Sequence, residues 1–143
     1  MKKHKFPLSN LQDYSALALV SPEKDYKFCF LLNKALHIKL DKAAFVHDEK
    51  AQAPGESESN DKNGFPAYIY HDDYQDIDFY IIKNKNENKY LLPQMKQADY
   101  LFLLKGKDIQ QHIENIKRIF TSLPYIHSTF AIPNNYLTHL KFD

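Results

Sequence analysis

"DYLFLLKGKDIQQHIENIKRIF", residues 99 to 120, decides the fold class, because the hydrophobic period changes inside it. From Tyr100 to Leu104 every residue is apolar, the pattern of a strand covered on both faces. After Lys105-Gly106-Lys107 the spacing switches. Ile109, Ile113, Ile116 and Phe120 form one helical stripe, with Glu114 and Arg118 four residues apart on the polar side. Asp108 and Gln111 make a capping-box-like pair at the expected helix start, and Pro124 closes the helix. A central strand feeding an amphipathic helix is one half of an α+β unit.

The other half lies near the N-terminus. "YSALALV", 14 to 20, is an apolar run that stops at Ser21-Pro22, and serine before proline is a helix-start signal, with Glu23 and Asp25 in the expected first turn. A helix is predicted from Pro22 to Leu36. Between the halves, "FPAYIYHD" and "IDFYIIK" alternate as strands around a turn at "DYQD", 73 to 76. "YLL" precedes Pro93 as a short run, and "YIHSTFAI" reads as a last strand before an irregular tail. The segment from about 49 to 64 has no aliphatic larger than alanine and is expected as a flexible loop inside a single domain spanning 1 to 143. The whole predicts an α+β two-layer sandwich: a mostly antiparallel sheet with two helices on one face, ferredoxin-like first and profilin-like second.

Composition removes several function classes. A net charge of +1 gives no field that favours nucleic acid or membrane, and of 19 basic residues only Arg118 is an arginine, so bidentate phosphate recognition is nearly absent. Three glycines, Gly55, Gly64 and Gly106, cannot build a phosphate cradle. No apolar run is long enough to span a bilayer, and the polar start predicts a cytoplasmic protein. The lone Cys29 sits between phenylalanines and reads as a buried, inert thiol. A nucleophile would need His37 or His127 brought beside it by folding.

The densest polar cluster is His71, Asp72, Asp73, Asp76 and Asp78. Carboxylates and an imidazole on alternate strand residues are the donor set of a divalent cation, but the spacing is no EF-hand, and a hairpin tip capped by Asx turns explains the same residues. None of the seven histidines has a zinc-like spacing. No cofactor is expected.

Leu92-Pro93-Gln94, three further residues, then Ala98-Asp99-Tyr100 resembles the motif Ile-Pro-Glu-x-x-x-Val-Asp-Tyr of the bacterial IPExxxVDY family of uncharacterised proteins. "DYKFCFLLNKALHIKL" and "LPYIHSTFAI" resemble that family's helix and final strand. The resemblance implies no activity, ligand or cofactor. Gln94 stands where the motif has glutamate, and an amide serves neither as a general base nor as a charged metal ligand. The motif therefore reads as architecture. Asp99 is expected as a buried carboxylate fastening a turn through two or three backbone N–H donors, with Tyr100 on the opposite face in the core.

Tyrosine is the remaining excess, with 10 Tyr and 10 Phe against no Trp. Tyr68, Tyr70, Tyr80 and Tyr90 fall on strands or their ends, where a sheet face left uncovered by the helices would present them to a protein partner. The favoured function is a non-catalytic interaction domain working through that face or a sheet edge, with a second copy of the chain as a candidate partner. An enzyme built on His71, Asp78 and Asp99 is the alternative, and an RNA-associated accessory protein comes third.

Overall fold

The computed structural model describes residues 14–48, 64–138 and 140–142, so the expected loop at 49 to 64 lies outside them apart from Gly64. Among the described residues nine strands and two α-helices follow in the order β1 (Tyr14–Val20), α1 (Asp25–Leu36), β2 (Asp41–Asp48), β3 (Phe65–Asp72), β4 (Ile77–Lys83), β5 (Lys85–Asn86), β6 (Lys89–Tyr90), β7 (Tyr100–Lys105), α2 (Gln110–Ser122), β8 (Ser128–Ala131) and β9 (Leu140–Phe142). Seven strands form one sheet in the order β8-β1-β7-β4-β3-β2-β9, and every neighbouring pair is antiparallel. The β7–α2–β8 connection crosses β1, which lies between its two strands. β5 and β6 form a separate two-stranded ribbon. The α+β sandwich with two helices on one face is therefore the architecture of the chain.

Period-two alternation sorts each strand between two cores. Leu17, Leu19, Tyr68, Phe79, Ile81, Tyr100, Phe102 and Leu104 face the helices and pack with Phe28, Cys29 and Leu32 of α1 and with Ile113, Ile116 and Phe120 of α2. Phe28 stacks on Tyr100 with ring centroids 4.2 Å apart, and Phe102 meets Phe120 edge-on at 5.1 Å. On the other face Ala16, Ala18, Ala67, Tyr80, Ile82, Leu101 and Leu103 pack against Leu91, Leu92, Met95 and Ala98 from the β6–β7 connection, and against Ile132, Leu137 and Leu140 from the C-terminal segment. The face opposite the helices is thus covered by irregular chain, which corrects the expectation of an open sheet face.

Four local expectations change in the tertiary structure. α1 begins at Asp25 and not Pro22, with Lys24 extended at the N-cap. The Ser21 amide is taken by the Asp99 carboxylate and the Tyr100 hydroxyl bonds the Glu23 carbonyl, so residues 21 to 23 are tied to the start of β7 ahead of the helix. The Ser21 hydroxyl still accepts the Glu23 N–H at 3.3 Å, a turn before the helix rather than its cap. At α2 no capping box forms: Asp108 has a left-handed φ of 54°, and the Gln111 side chain donates to Asn115 instead. Gly106 fits a tight place there, because a Cβ would lie 3.1 Å from Ile77 and 3.2 Å from the Asp76 carbonyl and its neighbours would have to shift to admit it. β2 and β9 escaped the sequence reading, the eight mixed residues of the one and the three of the other giving no clear period. "YLL" forms no strand of the main sheet; Tyr90 ends β6 while Leu91 and Leu92 are buried beyond it.

Two-sided burial has a direct consequence on β7. Leu103 and Leu104, both fully buried, point to opposite cores. Leu103→Ala and Leu104→Ala are each expected to cost about 2–5 kcal/mol in urea unfolding. A cost below about 1 kcal/mol for Leu103→Ala alone would mean that the second face is not packed as described.

Candidate functional site

The β6–β7 connection, which carries the motif, has little regular structure beyond a 3-10 turn at Pro93–Met95, yet it lies against the sheet. Its backbone polar groups therefore need partners other than water. Asn84, at the end of β4, supplies them and is 0% exposed. Its Nδ2 donates to the Met95 carbonyl at 3.0 Å and to the Ala98 carbonyl at 2.9 Å, while its Oδ1 accepts the Leu92 N–H at 2.9 Å. The Asn84 main chain adds two more bonds, from its N–H to the Asp99 carbonyl at 3.0 Å and from the Leu91 N–H to its own carbonyl at 2.8 Å. One asparagine thus holds both ends and the middle of the motif. Sequence reasoning missed it, because a lone Asn after a strand reads as a turn residue.

The motif residues divide cleanly by exposure. Leu92, Ala98 and Tyr100 are buried, whereas Pro93, Gln94 and Asp99 face solvent. Asp99 is therefore not the buried carboxylate that was expected, and among the described residues one backbone amide, that of Ser21 at 2.8 Å, reaches its Oδ2. Its main chain is as important as its side chain, since its N–H donates to the Leu19 carbonyl at 2.9 Å. Asp99 ties the start of β7 to the end of β1 at the point where α1 is about to begin. Burial pushes the Tyr100 hydroxyl well above its ordinary pKa, and Asp25 adds to the effect.

The tyrosines expected to share one surface are dispersed. Tyr68 is 8% exposed, points to the helix layer and donates its hydroxyl to Asp25 Oδ2 at 2.8 Å. Tyr70 is half-buried against Phe79 on the same side. Tyr80, 2% exposed, lies in the opposite core. Tyr90 is off the main sheet, with the Lys85 and Lys96 ammonium groups 5.7 and 5.9 Å from its ring centre. Tyr68 and Tyr80 offer nothing to a partner because the sheet is covered on both sides.

Exposed apolar surface is found instead on the helices and at the hairpin tip. Tyr26 and Phe30, one turn apart on the outward side of α1, are 67% and 57% exposed, and the Lys34 ammonium sits 4.9 Å from the Phe30 ring centre. Ile119 of α2 and Tyr74 between β3 and β4 are exposed as well. The apolar residues of 26 to 36 cover more than one helical stripe, a pattern that predicts a helix covered on most sides, and the exposure of Tyr26 and Phe30 corrects that expectation.

The polar cluster resolves into a hairpin lock. His71 Nδ1 and Asp78 Oδ1 lie 2.5 Å apart across the β3–β4 pair, and Asp73 and Asp76 lie 3.3 and 3.7 Å from Nε2. Asp72 Oδ1 accepts the amides of Tyr74 and Gln75, an Asx turn. Among the described residues no group of three or more His, Cys, Asp or Glu is arranged to hold a metal ion. Asp78 pairs with Lys105 at one end of β7 and Asp99 stands at the other, six residues or about 20 Å away along the strand. The three residues of the acid–base alternative are therefore not brought together. Cys29 is buried in the helix-side core, where desolvation, and then Asp25, push its thiol up to about 12.

Compared with models of known protein families and with curated proteins, the chain matches none. Among the described residues no helix is long and apolar enough to cross a membrane.

Two predictions distinguish the fasteners. Asn84→Ala leaves a buried donor and two buried carbonyls without partners and is expected to cost about 3 kcal/mol or more, while Asp99→Asn, at an exposed site that can still accept a bond, should cost about 1 kcal/mol or less. Equal losses in chemical denaturation would put the weight on Asp99. The hydrogen bond to Asp78, aided by the three carboxylates, raises the His71 pKa above its ordinary 6.5. The folded state binds that proton more tightly, so the contribution is full below the unfolded pKa and is lost as pH rises through the folded one. An NMR titration of His71 should give a midpoint above 6.5, and Asp78→Asn should lower it. An unmoved midpoint in Asp78→Asn would contradict the lock.

Proposed function

We propose that the chain is a non-catalytic interaction domain that works by protein contact, through the outward face of α1 instead of the sheet tyrosines. The observation that carries this reading is the exposure of Tyr26 and Phe30, 67% and 57%, on adjacent turns of a helix whose other face is fully committed to the core. Exposed aromatics with two rotatable side-chain bonds give large contact area at small entropic cost and are enriched in the centres of interfaces. The basic flank suits them to a partner with acidic groups: Lys34 of α1 lies over Phe30, and the exposed Lys27 of α1 is 3.5 Å from Glu23, which precedes the helix.

The acid–base alternative has lost its geometry, since His71 and Asp78 stand at one end of the strands and Asp99 at the other. RNA association keeps one specific observation, Tyr90 between Lys85 and Lys96, an aromatic ring beside two cations. It requires binding of single-stranded RNA that weakens steeply with salt, and a flat salt response would remove it.

The leading reading is tested by placing a photo-crosslinking side chain at position 30 in living cells, with exposed position 114 of α2 as the control. A discrete protein adduct from position 30 that is absent at 114, and abolished by Tyr26→Glu, is the expected result. Tyr26→Glu should leave unfolding free energy within about 0.5 kcal/mol of the parent. Equal, diffuse labelling at both positions would overturn the assignment of this face.

A further inference from the structure

The two ends of the sheet are unlike. At one end β9 is three residues long, the kind of short edge that discourages further pairing. At the other end β8 pairs with β1 alone among the described residues. From Ile119 to Leu140, a stretch that contains all of β8, there is no Asp, Glu, Lys or Arg, in a chain that is 26% charged. Neither a charge nor a proline lies within Ser128–Ala131.

The backbone of β8 is set for pairing outward. Ile132 donates to the Ala16 carbonyl at 3.1 Å, and Ala18 stands opposite Phe130 and Val20 opposite Ser128. In an antiparallel ladder this alternation turns residues 128, 130 and 132 toward β1 and leaves the N–H and C=O groups of Thr129 and Ala131 on the open side. The side chains do not block approach: Ser128 and Ala131 are small and exposed, and Phe130 packs back against the core. Thr129 Oγ1 is buried with no hydrogen-bond partner among the described residues.

We propose that β8 is the joint between two copies of this chain, the strands pairing antiparallel about a two-fold axis at Phe130 so that one sheet runs through the dimer. A second copy is the occupant that the charge pattern selects. Edges of other sheets commonly carry guarding charges, which would go unpaired against this strand, whereas the neutral edge meets its own copy without repulsion and with every outward donor facing an acceptor. The two-fold sets Thr129 of each copy opposite Ala131 of the other, so the outward N–H and C=O groups of both residues meet reciprocally. A joint of four residues per copy is small, so the dimer should dissociate on dilution. This inference stands apart from the reading of α1, and failure of either leaves the other in place.

Sedimentation velocity of the full chain over a wide concentration range tests it. The expected result is a concentration-dependent rise from 16.8 kDa to twice that mass. Ala131→Lys combined with Ser128→Lys should weaken association by about tenfold or more, roughly 1.4 kcal/mol, with an unchanged circular dichroism spectrum. Hydrogen exchange on the unaltered protein gives a readout independent of the variants: the amides of Thr129 and Ala131 should slow as the mass doubles. A monomer at every concentration, a dimer indifferent to both lysines, or Thr129 and Ala131 amides that exchange at the same rate in monomer and dimer would each overturn the proposal.

Discussion

Asn84 is the constraint on which the rest of the structure depends. This sheet carries large apolar side chains on both faces, so both need covering, and among the described residues there are only two long helices, both on one side. The second side is closed by irregular chain, whose backbone would carry unpaired donors and acceptors into the core without a substitute for regular hydrogen bonding. The asparagine carboxamide is that substitute: its two N–H groups and its oxygen serve the Met95, Ala98 and Leu92 main chain within 3.0 Å. With those groups satisfied, Leu91, Leu92, Met95 and Ala98 can be pressed onto Tyr80, Leu101 and Leu103.

Covering the sheet twice decides what is left for function. Tyr68 and Tyr80 become core residues with their hydroxyl pKa values raised by burial, and the surface expected of them disappears. What remains for partners is the outside of the helix layer and the ends of the sheet. α1 keeps two aromatic rings in water because its start is held by tertiary bonds, Tyr68 to Asp25 in the first turn and Tyr100 to Glu23 just before it, that fix which side of the helix faces inward. The motif acts at a distance in the same way. Asp99 captures the Ser21 amide four residues before α1 starts.

The same extended strands that build the core keep the titrating groups apart. His71 and Asp78 lock the β3–β4 hairpin at its tip, while Asp99 sits at the far end of β7, so the length of a strand separates them. Cys29 lies between the helix and the sheet, where desolvation holds the proton on sulfur.

By itself the sequence determined the α+β class, the β3–β4 hairpin, the stripe of Ile109, Ile113, Ile116 and Phe120, the burial of Tyr100 and the Asx turn at Asp72, because each follows from a local period or a side chain meeting its own backbone. Tertiary structure alone decided the start of α1, the loss of the cap at Asp108, the strands β2 and β9, the burial of Tyr68 and Tyr80, and the place of Asn84. Those outcomes depend on hydrogen bonds and contacts between residues far apart in the chain, such as Ser21 with Asp99 and Tyr68 with Asp25. A local pattern registers that a side chain is apolar or polar, but not which distant backbone group will come to meet it.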